Sequence, residues 1–172
     1  REYASLLNAC GRMSKGGLGV SICMGDRDKA LEEAQGVLSE YRKTLAQYMD
    51  WLEGPPRRMQ ETEALHIIRG EGVIDEKMLG AISSILTGIF KPDKPIVAFT
   101  TTEEGNIKVS ARATDLLIAQ GLNLGLILQR AAEGVSGKGG GHNIAAGAHI
   151  PKDHLEDFLK QVSISVKEVL VH

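Results

Sequence analysis

The segment Gly137-Lys138-Gly139-Gly140-Gly141-His142 sets four glycines and a lysine directly before a histidine, and the small-residue run Ala145-Ala146-Gly147-Ala148-His149-Ile150 follows it closely. Backbone without Cβ atoms lets a ligand approach the main chain, and its N–H groups can converge on an anion as a nest. Lys138 adds charge, His142 adds a ring donor, and a helix beginning within residues 143–147 would add its dipole. Such a set suits a phosphate. The competing reading is a flexible glycine linker with a surface histidine, but a linker does not usually run straight into a core-like AAGAHI segment.

A second set lies on Ile107-Lys108-Val109-Ser110-Ala111-Arg112. The period of two along a strand puts Ile107, Val109 and Ala111 on a core face and Lys108, Ser110 and Arg112 on the other. A guanidinium beside a hydroxyl receives phosphate through charge-assisted hydrogen bonds. On this strand alone, a solvated polar face explains the pattern as well. Arg12, in Asn8-Ala9-Cys10-Gly11-Arg12-Met13, is a third cation beside glycine, and an ordinary helix C-terminus accounts for it equally.

Other chemistries fail on spacing. A P-loop needs GxxxxGK[ST] after a strand, whereas Gly137-Lys138 is followed by Gly139, has Ala132 where the first glycine belongs, and follows a helical pattern. The dinucleotide fingerprint is matched only loosely and lacks its preceding strand. His142, His149 and His154 match no common metal-ligand spacing. Asp26 and Asp28 sit where a helix cap is wanted, and neither a Ser-His-Asp order nor a second carboxylate pair emerges. The residues therefore point to binding of an anion, with no catalytic or metal-ligating set in this chain.

The elements that must position these residues change character along the chain. Tyr3, Leu6, Leu7 and Cys10 recur at helical spacing, and the Ser14-Lys15-Gly16-Gly17 cluster predicts a loop. Leu31, Ala34, Leu38, Tyr41, Leu45, Tyr48 and Leu52 make one long amphipathic helix, capped by Asp26 or Asp28 and stopped by Gly54-Pro55-Pro56. Its heptads suit packing on the same chain better than a coiled-coil dimer. Beyond the prolines, residues 64–68 and 95–101 read as strands. Between them Asp75 caps a helix with Met78, Ile82, Ile85 and Ile89 in its stripe. A turn at 103–106 returns the chain as strand 107–113, and Asn123 caps a helix carrying Leu124, Ile127, Leu128 and Ala131. Residues 145–150 form a last strand, and Asp153 with Glu156 opens a final helix with Leu155, Phe158, Leu159, Val162 and Val166 on one face. The expected fold is α/β. Residues 1–54 form a helical segment with one long connecting helix, and 58–172 a small mixed β-sheet covered by helices.

Composition bounds the function. At 172 residues and 42% hydrophobic, the chain can bury one sizeable core plus a helical segment. A net charge of -2 argues against indiscriminate coating of nucleic acid, so any anion site must be local. Cys10 and Cys23 lack CxxC spacing, which indicates neither a zinc site nor a disulfide framework and fits a cytoplasmic setting. No apolar run reaches membrane-spanning length. The chain opens at Arg1, inside an amphipathic pattern, as a fragment of a longer protein would.

Taken in order, "NACGRM", "KVSARA" and "GKGGGHNIAAG" resemble the C-terminal half of the DHH-family phosphoesterases, most closely the RecJ-like single-strand nucleases and particularly archaeal ones. "GGGH" followed by "AAG" is the hallmark of their DHH-associated domain. The resemblance implies that Gly139, Gly140, Gly141 and His142 bind substrate phosphate or sugar, that Ser110 and Arg112 contact a nucleic-acid phosphate, and that Arg12 reaches the same groove. Lys138 belongs with this set by charge. It also implies an intact protein that is a manganese- or magnesium-dependent exonuclease on single-stranded DNA or RNA. The DHH catalytic motif that binds those ions is absent from this sequence, so this chain alone is expected to bind without cleaving. Within the same family, the resemblance leaves two other readings: a non-catalytic replication scaffold bound to the GINS complex, and the substrate domain of a nanoRNase or small-nucleotide phosphatase. A tRNA-editing accessory domain shares the glycine motif without the N-terminal features.

Overall fold

The computed structural model describes residues 2–56 and 58–170. The chain divides into two compact units, residues 1–51 and 52–172.

The first unit is helical: α1 (Glu2–Arg12), α2 (Gly16–Cys23) and α3 (Lys29–Glu53), the last running through the division between units. Its core is Leu6, Cys10, Ile22, Ala30, Ala34 and Val37. The loop expected over residues 14–17 is shorter than predicted, because α2 begins at Gly16. Glycine costs a helix up to ~1 kcal/mol per residue relative to alanine. Burial of Ile22, with Leu18 packed against the same cluster, outweighs that cost. At Gly19 an added Cβ would make ordinary contact with Leu7 and Cys10, at 3.5 and 3.6 Å, so α2 packs on α1 there without requiring glycine. Of the two aspartates proposed as cap, Asp26 serves: its Oδ1 accepts the amides of Asp28 and Ala30 at 3.2 and 3.3 Å. The first turns of α3 and Leu52 in its last turn supply its buried positions, whereas Tyr41, Leu45 and Tyr48 are half-exposed.

The second unit is α/β. Its elements are β1 (Met59–Glu61), β2 (His66–Arg69), α4 (Leu79–Phe90), β3 (Ile96–Thr101), β4 (Ile107–Arg112), α5 (Asp115–Ala119), α6 (Leu124–Glu133), β5 (Lys138–Gly141), β6 (Ala145–Ile150) and α7 (Leu155–Leu170). The six strands lie in the order β1-β2-β3-β4-β6-β5. Only β2 and β3 pair in parallel, with α4 as their crossover, so the sheet is mixed. One face, carrying Val97, Phe99, Ile107, Val109, Ala111, Ala146, Ala148 and Ile150, is buried together with residues of α6 and α7. All five residues assigned to the α7 stripe are buried, and Phe158 and Val162 are fully enclosed. A side chain of that size contributes about 1.5–3 kcal/mol through burial.

Three local expectations need correction. Asp75 caps a turn, accepting the Lys77 amide at 2.7 Å, and α4 starts only at Leu79. The turn is held separately: the Thr100 hydroxyl donates within reach of the Gly70 and Ile74 carbonyls, at 3.1 and 2.7 Å. The α4 stripe consequently includes Leu79, Ser83 and Leu86 with Ile82, and leaves Ile89 62% exposed. At the start of α7, Asp153 lies in a 3-10 turn (Lys152–His154) and Glu156 pairs with Arg69 at 2.7 Å, so the expected capping box does not form among the described residues. Finally, the segment after the glycines is turn and strand; no helix begins within residues 143–147.

Candidate phosphate-binding groove

The glycine run forms β5, an edge strand paired antiparallel with β6. Amides of an extended strand point alternately to its two sides, so the converging nest expected from the sequence is not built. The glycines divide by sheet face. Gly139 faces α6, where a Cβ would stand 2.5 Å from the Leu128 carbonyl oxygen, whereas a Cβ at Gly141 would meet β6, 2.7 Å from the Ala145 carbonyl oxygen. Gly125 on α6 completes the contact with the helix, its absent Cβ being 2.4 Å from the Gly141 carbonyl. Gly125 and Gly139 are bare because helix and strand press together, and Gly141 because β6 leaves no room for a Cβ. Gly140 differs, for a Cβ there would meet nothing within 4 Å, and its φ of +151° is one that side chains rarely adopt. Its surface is open to a ligand.

Register carries that open surface from β5 onto β6, and on β4 it meets the cover of α4. Gly140 pairs with Gly147 on β6, and Gly147 with Ser110 on β4. Directly opposed antiparallel residues share a face, and strands lie ~4.8 Å apart, so Gly140 and Gly147 form a shallow floor that ends about 10 Å from Gly140 at the buried Ser110. Helix α4 supplies the wall. Ser110, expected on a solvated face, is 7% exposed beneath α4, its hydroxyl 2.9 Å from that of Ser83. The Arg112 guanidinium donates from Nε to Ser84 Oγ at 2.9 Å, and from Nη1 to the Ala111 carbonyl at 2.9 Å and to Ser110 Oγ at 3.4 Å. Ser110 thus helps to aim Arg112, and the guanidinium lies back over the Ser110 row. Fixing a guanidinium beforehand removes most of the side-chain entropy cost of gripping an anion.

His142 is exposed in the β5–β6 turn. Its amide donates to the Ala145 carbonyl at 2.8 Å, and Ala145 is the register partner of Arg112. The turn is tied down further: the Leu124 amide donates to the Asn143 carbonyl at 2.9 Å, and the Ala113 amide to that of Ile144 at 3.0 Å. His142 and Arg112 therefore flank Ala145 at one end of the floor. Lys138 lies at the other end of β5, opposite His149, which in turn opposes Lys108. From the sequence His149 is weighed only as a metal ligand and assigned to a strand, and the period-two pattern of AAGAHI is the signal that puts it on the Gly147 face. Arg12 belongs to the first unit, at the last turn of α1. An apolar cavity of about 540 Å³, lined by Leu52, Met59, Ile68, Leu86 and Phe90 among others, carries no cation and does not serve an anion.

Among the described residues no three His, Cys, Asp or Glu side chains gather as metal ligands, so the donors of this chain do not fit the divalent ion the family resemblance implies. No described helix is long and apolar enough to cross a membrane.

Comparison with known proteins gives the architecture a family. A protein of Methanocaldococcus jannaschii described as Uncharacterized protein MJ0831 is 33% identical over 168 residues, covering 97% of this chain and 35% of its own length. The chain thus spans about a third of that curated relative. Among solved structures, RecJ from Thermus thermophilus in complex with Mn2+ superposes with a TM-score of 0.67 at 20% identity, covering 96% of this chain and 24% of that one. CDC45 from Entamoeba histolytica gives 0.61 at 10% identity, covering 95% and 37%. At these identities the likeness is one of fold. The DHHA1 domain model matches residues 64–168, which includes β2 to β6, α4 to α7 and the whole glycine floor, and the chain belongs to the DHHA1 domain family.

Proposed function

We propose that this chain grips the phosphate backbone of single-stranded DNA or RNA for a RecJ-like exonuclease, whose metal-dependent phosphodiester hydrolysis resides in a DHH catalytic domain outside this sequence. The observation that carries the reading is the Gly140-Gly147 floor, where a backbone can approach closely beside a guanidinium already oriented by Ser84, Ser110 and the Ala111 carbonyl. Arg112 supplies charge-assisted hydrogen bonds to a phosphate on the floor, and His142 donates from its end. Gly139 acts indirectly, by letting α6 hold β5 in place, Gly141 by letting β5 close on β6, and Ser110 acts through Arg112. Lys138 draws the strand along the floor. Arg12 is a further candidate for phosphate contact, carried by the helical unit. The intact protein works in the cytoplasm with manganese or magnesium in its catalytic domain and can meet the GINS complex there.

Aromatic residues make up only 4% of the chain, so binding leans on phosphate more than on base stacking. The test is fluorescence anisotropy with short 5′-phosphorylated single-stranded DNA and RNA, comparing the chain with Arg112→Ala and His142→Ala. The expected result is weak, salt-sensitive binding that each substitution reduces roughly tenfold. Binding unaffected by Arg112→Ala refutes the groove. Cleavage of the oligonucleotide by the purified chain with manganese would show that the catalytic centre had been misplaced.

A further inference from the structure

At the end of the floor away from His142, Lys138, His149 and Lys108 stand in register on three adjacent strands, facing the same side as Gly140, Gly147 and Ser110. Lys138 and His149 are exposed and Lys108 is half-buried. Among the described residues none of these three side chains has a hydrogen-bond or ion-pair partner. Opposite charges across strands stabilise a sheet, and here no carboxylate stands in register opposite either lysine. Two ammonium groups flanking an imidazole, on a chain of net charge -2, make this row a local cationic patch continuous with the glycine floor. Lys138 and His149 help to line a hollow of about 380 Å³ between the β5–β6 end and the β3–β4 turn, with Ser136 and Asn106 as polar neighbours and Glu104 as its carboxylate.

The spacing defines the anion. Residues two apart on one face of a strand are separated by ~6.8 Å, so the Lys138-His149-Lys108 row lies that far from the Gly140-Gly147-Ser110 row. Arg112 lies back over the Ser110 row. The separation is of the order of one backbone repeat in a stretched single strand. Resting on the proposed phosphate grip at Arg112, we propose that the Lys138-His149-Lys108 row is a second phosphate position. The groove then takes an oligonucleotide with at least two consecutive phosphates in preference to a mononucleotide. Glu104 at the rim opposes the second phosphate and limits its affinity.

The experiment is isothermal titration of the chain with thymidine 5′-monophosphate and with 5′-phosphorylated di- and trithymidylate. Affinity is expected to rise roughly tenfold from one phosphate to two, the increment of one charge-assisted contact. The double variant Lys108→Gln/His149→Gln is expected to lose that gain while binding the monophosphate as the unaltered chain does, and that retained binding certifies its fold. Glu104→Gln is expected to enlarge the gain. If the monophosphate binds but the dithymidylate binds no better, or if the double variant keeps the gain, the second position is refuted while the first stands. If the unaltered chain binds neither ligand, the Arg112 reading fails and this one with it.

Discussion

The closest approach in the molecule is that of α6 to β5, and it yields a quantitative test of why the glycines are there. In Gly139→Ala the new methyl would stand 2.5 Å from the Leu128 carbonyl oxygen, 0.9 Å short of the 3.4 Å at which ordinary contact begins; in Gly125→Ala it would stand 2.4 Å from the Gly141 carbonyl, 1.0 Å short. Both obstacles are backbone, so no side-chain rotation relieves them and helix and strand must separate by about 1 Å. A gap of that size forfeits roughly a quarter to a half of the dispersion attraction across it. The atoms affected include Leu124, Leu128, Ala131 and Ala132, all buried on α6. Overpacking of this kind costs about 1–3 kcal/mol. Gly139→Ala is expected near the upper end, and Gly125→Ala lower, because alanine returns about 0.8–1 kcal/mol of helix propensity. One separation relieves both clashes, so the double variant should cost about 1 kcal/mol less than the sum of the two. Gly140→Ala meets open space and carries only a dihedral penalty, so its cost should add independently to that of Gly125→Ala. The assay is urea unfolding followed by far-UV circular dichroism, with the slope checked for constancy. A Gly139→Ala cost below about 0.5 kcal/mol, or strict additivity with Gly125→Ala, would refute the claim that these glycines exist to admit the helix.

Three further outcomes follow from the geometry. Gly36 lies inside α3 with nothing within 4 Å of an added Cβ, so Gly36→Ala should stabilise by about 0.5–1 kcal/mol in the same unfolding assay. Cys10 is buried, and that burial raises its thiol pKa, whereas Cys23 is exposed; a chromogenic disulfide reagent should label Cys23 first and reach Cys10 only on unfolding. The Glu61 and Glu63 carboxyls are held below the usual 4.5 by hydrogen bonds from Lys94 and Lys167, so their stabilising contribution is present above 4.5 and is lost as pH falls through their depressed values. Both are exposed, so acid titration of Glu61→Gln/Glu63→Gln should show a small but flatter dependence below pH 4.5 than the unaltered chain.

What was legible in the sequence was what local chemistry decides. The stripe of α7, the Asn123 cap with its Oδ1 accepting the Leu126 amide, and the two faces of β4 needed only period and cap rules, and the structure realises each. What local chemistry leaves open was misread. Gly16 and Gly17 look like loop, and only burial of Ile22 against α1 makes them helix. Ser110 looks solvent-facing because a single strand cannot reveal that α4 crosses above it. The glycine run was recognised as a place needing bare backbone, but which of its residues serve a helix and which face open space is a property of the strand's two sides. That distinction becomes visible only once β5 pairs with β6.

The alternation within β6 explains why the groove stays open at all. Ala146, Ala148 and Ile150 point to one face and are buried among the residues of α6 and α7; Ala145, Gly147 and His149 point to the other, beside Gly140 and Lys138 on β5. A helix laid over this second face would cover almost no apolar side chain, since glycine and alanine offer little area to remove from water. It would also have to bury an imidazole and two ammonium groups with no carboxylate to pair them, a cost of several kcal/mol. Further along the same face, Ile68, Ala98 and Ile96 on β2 and β3 are fully buried, and α4 packs over β3 and β4. The helix stops where the apolar residues stop. The open floor is thus a consequence of the residue pattern on one side of two strands, and replacing Lys138 and His149 by leucine should close it by self-association. Analytical ultracentrifugation should show that variant dimerising where the unaltered chain does not, and a monomeric variant would mean that side-chain polarity is not what keeps this face uncovered.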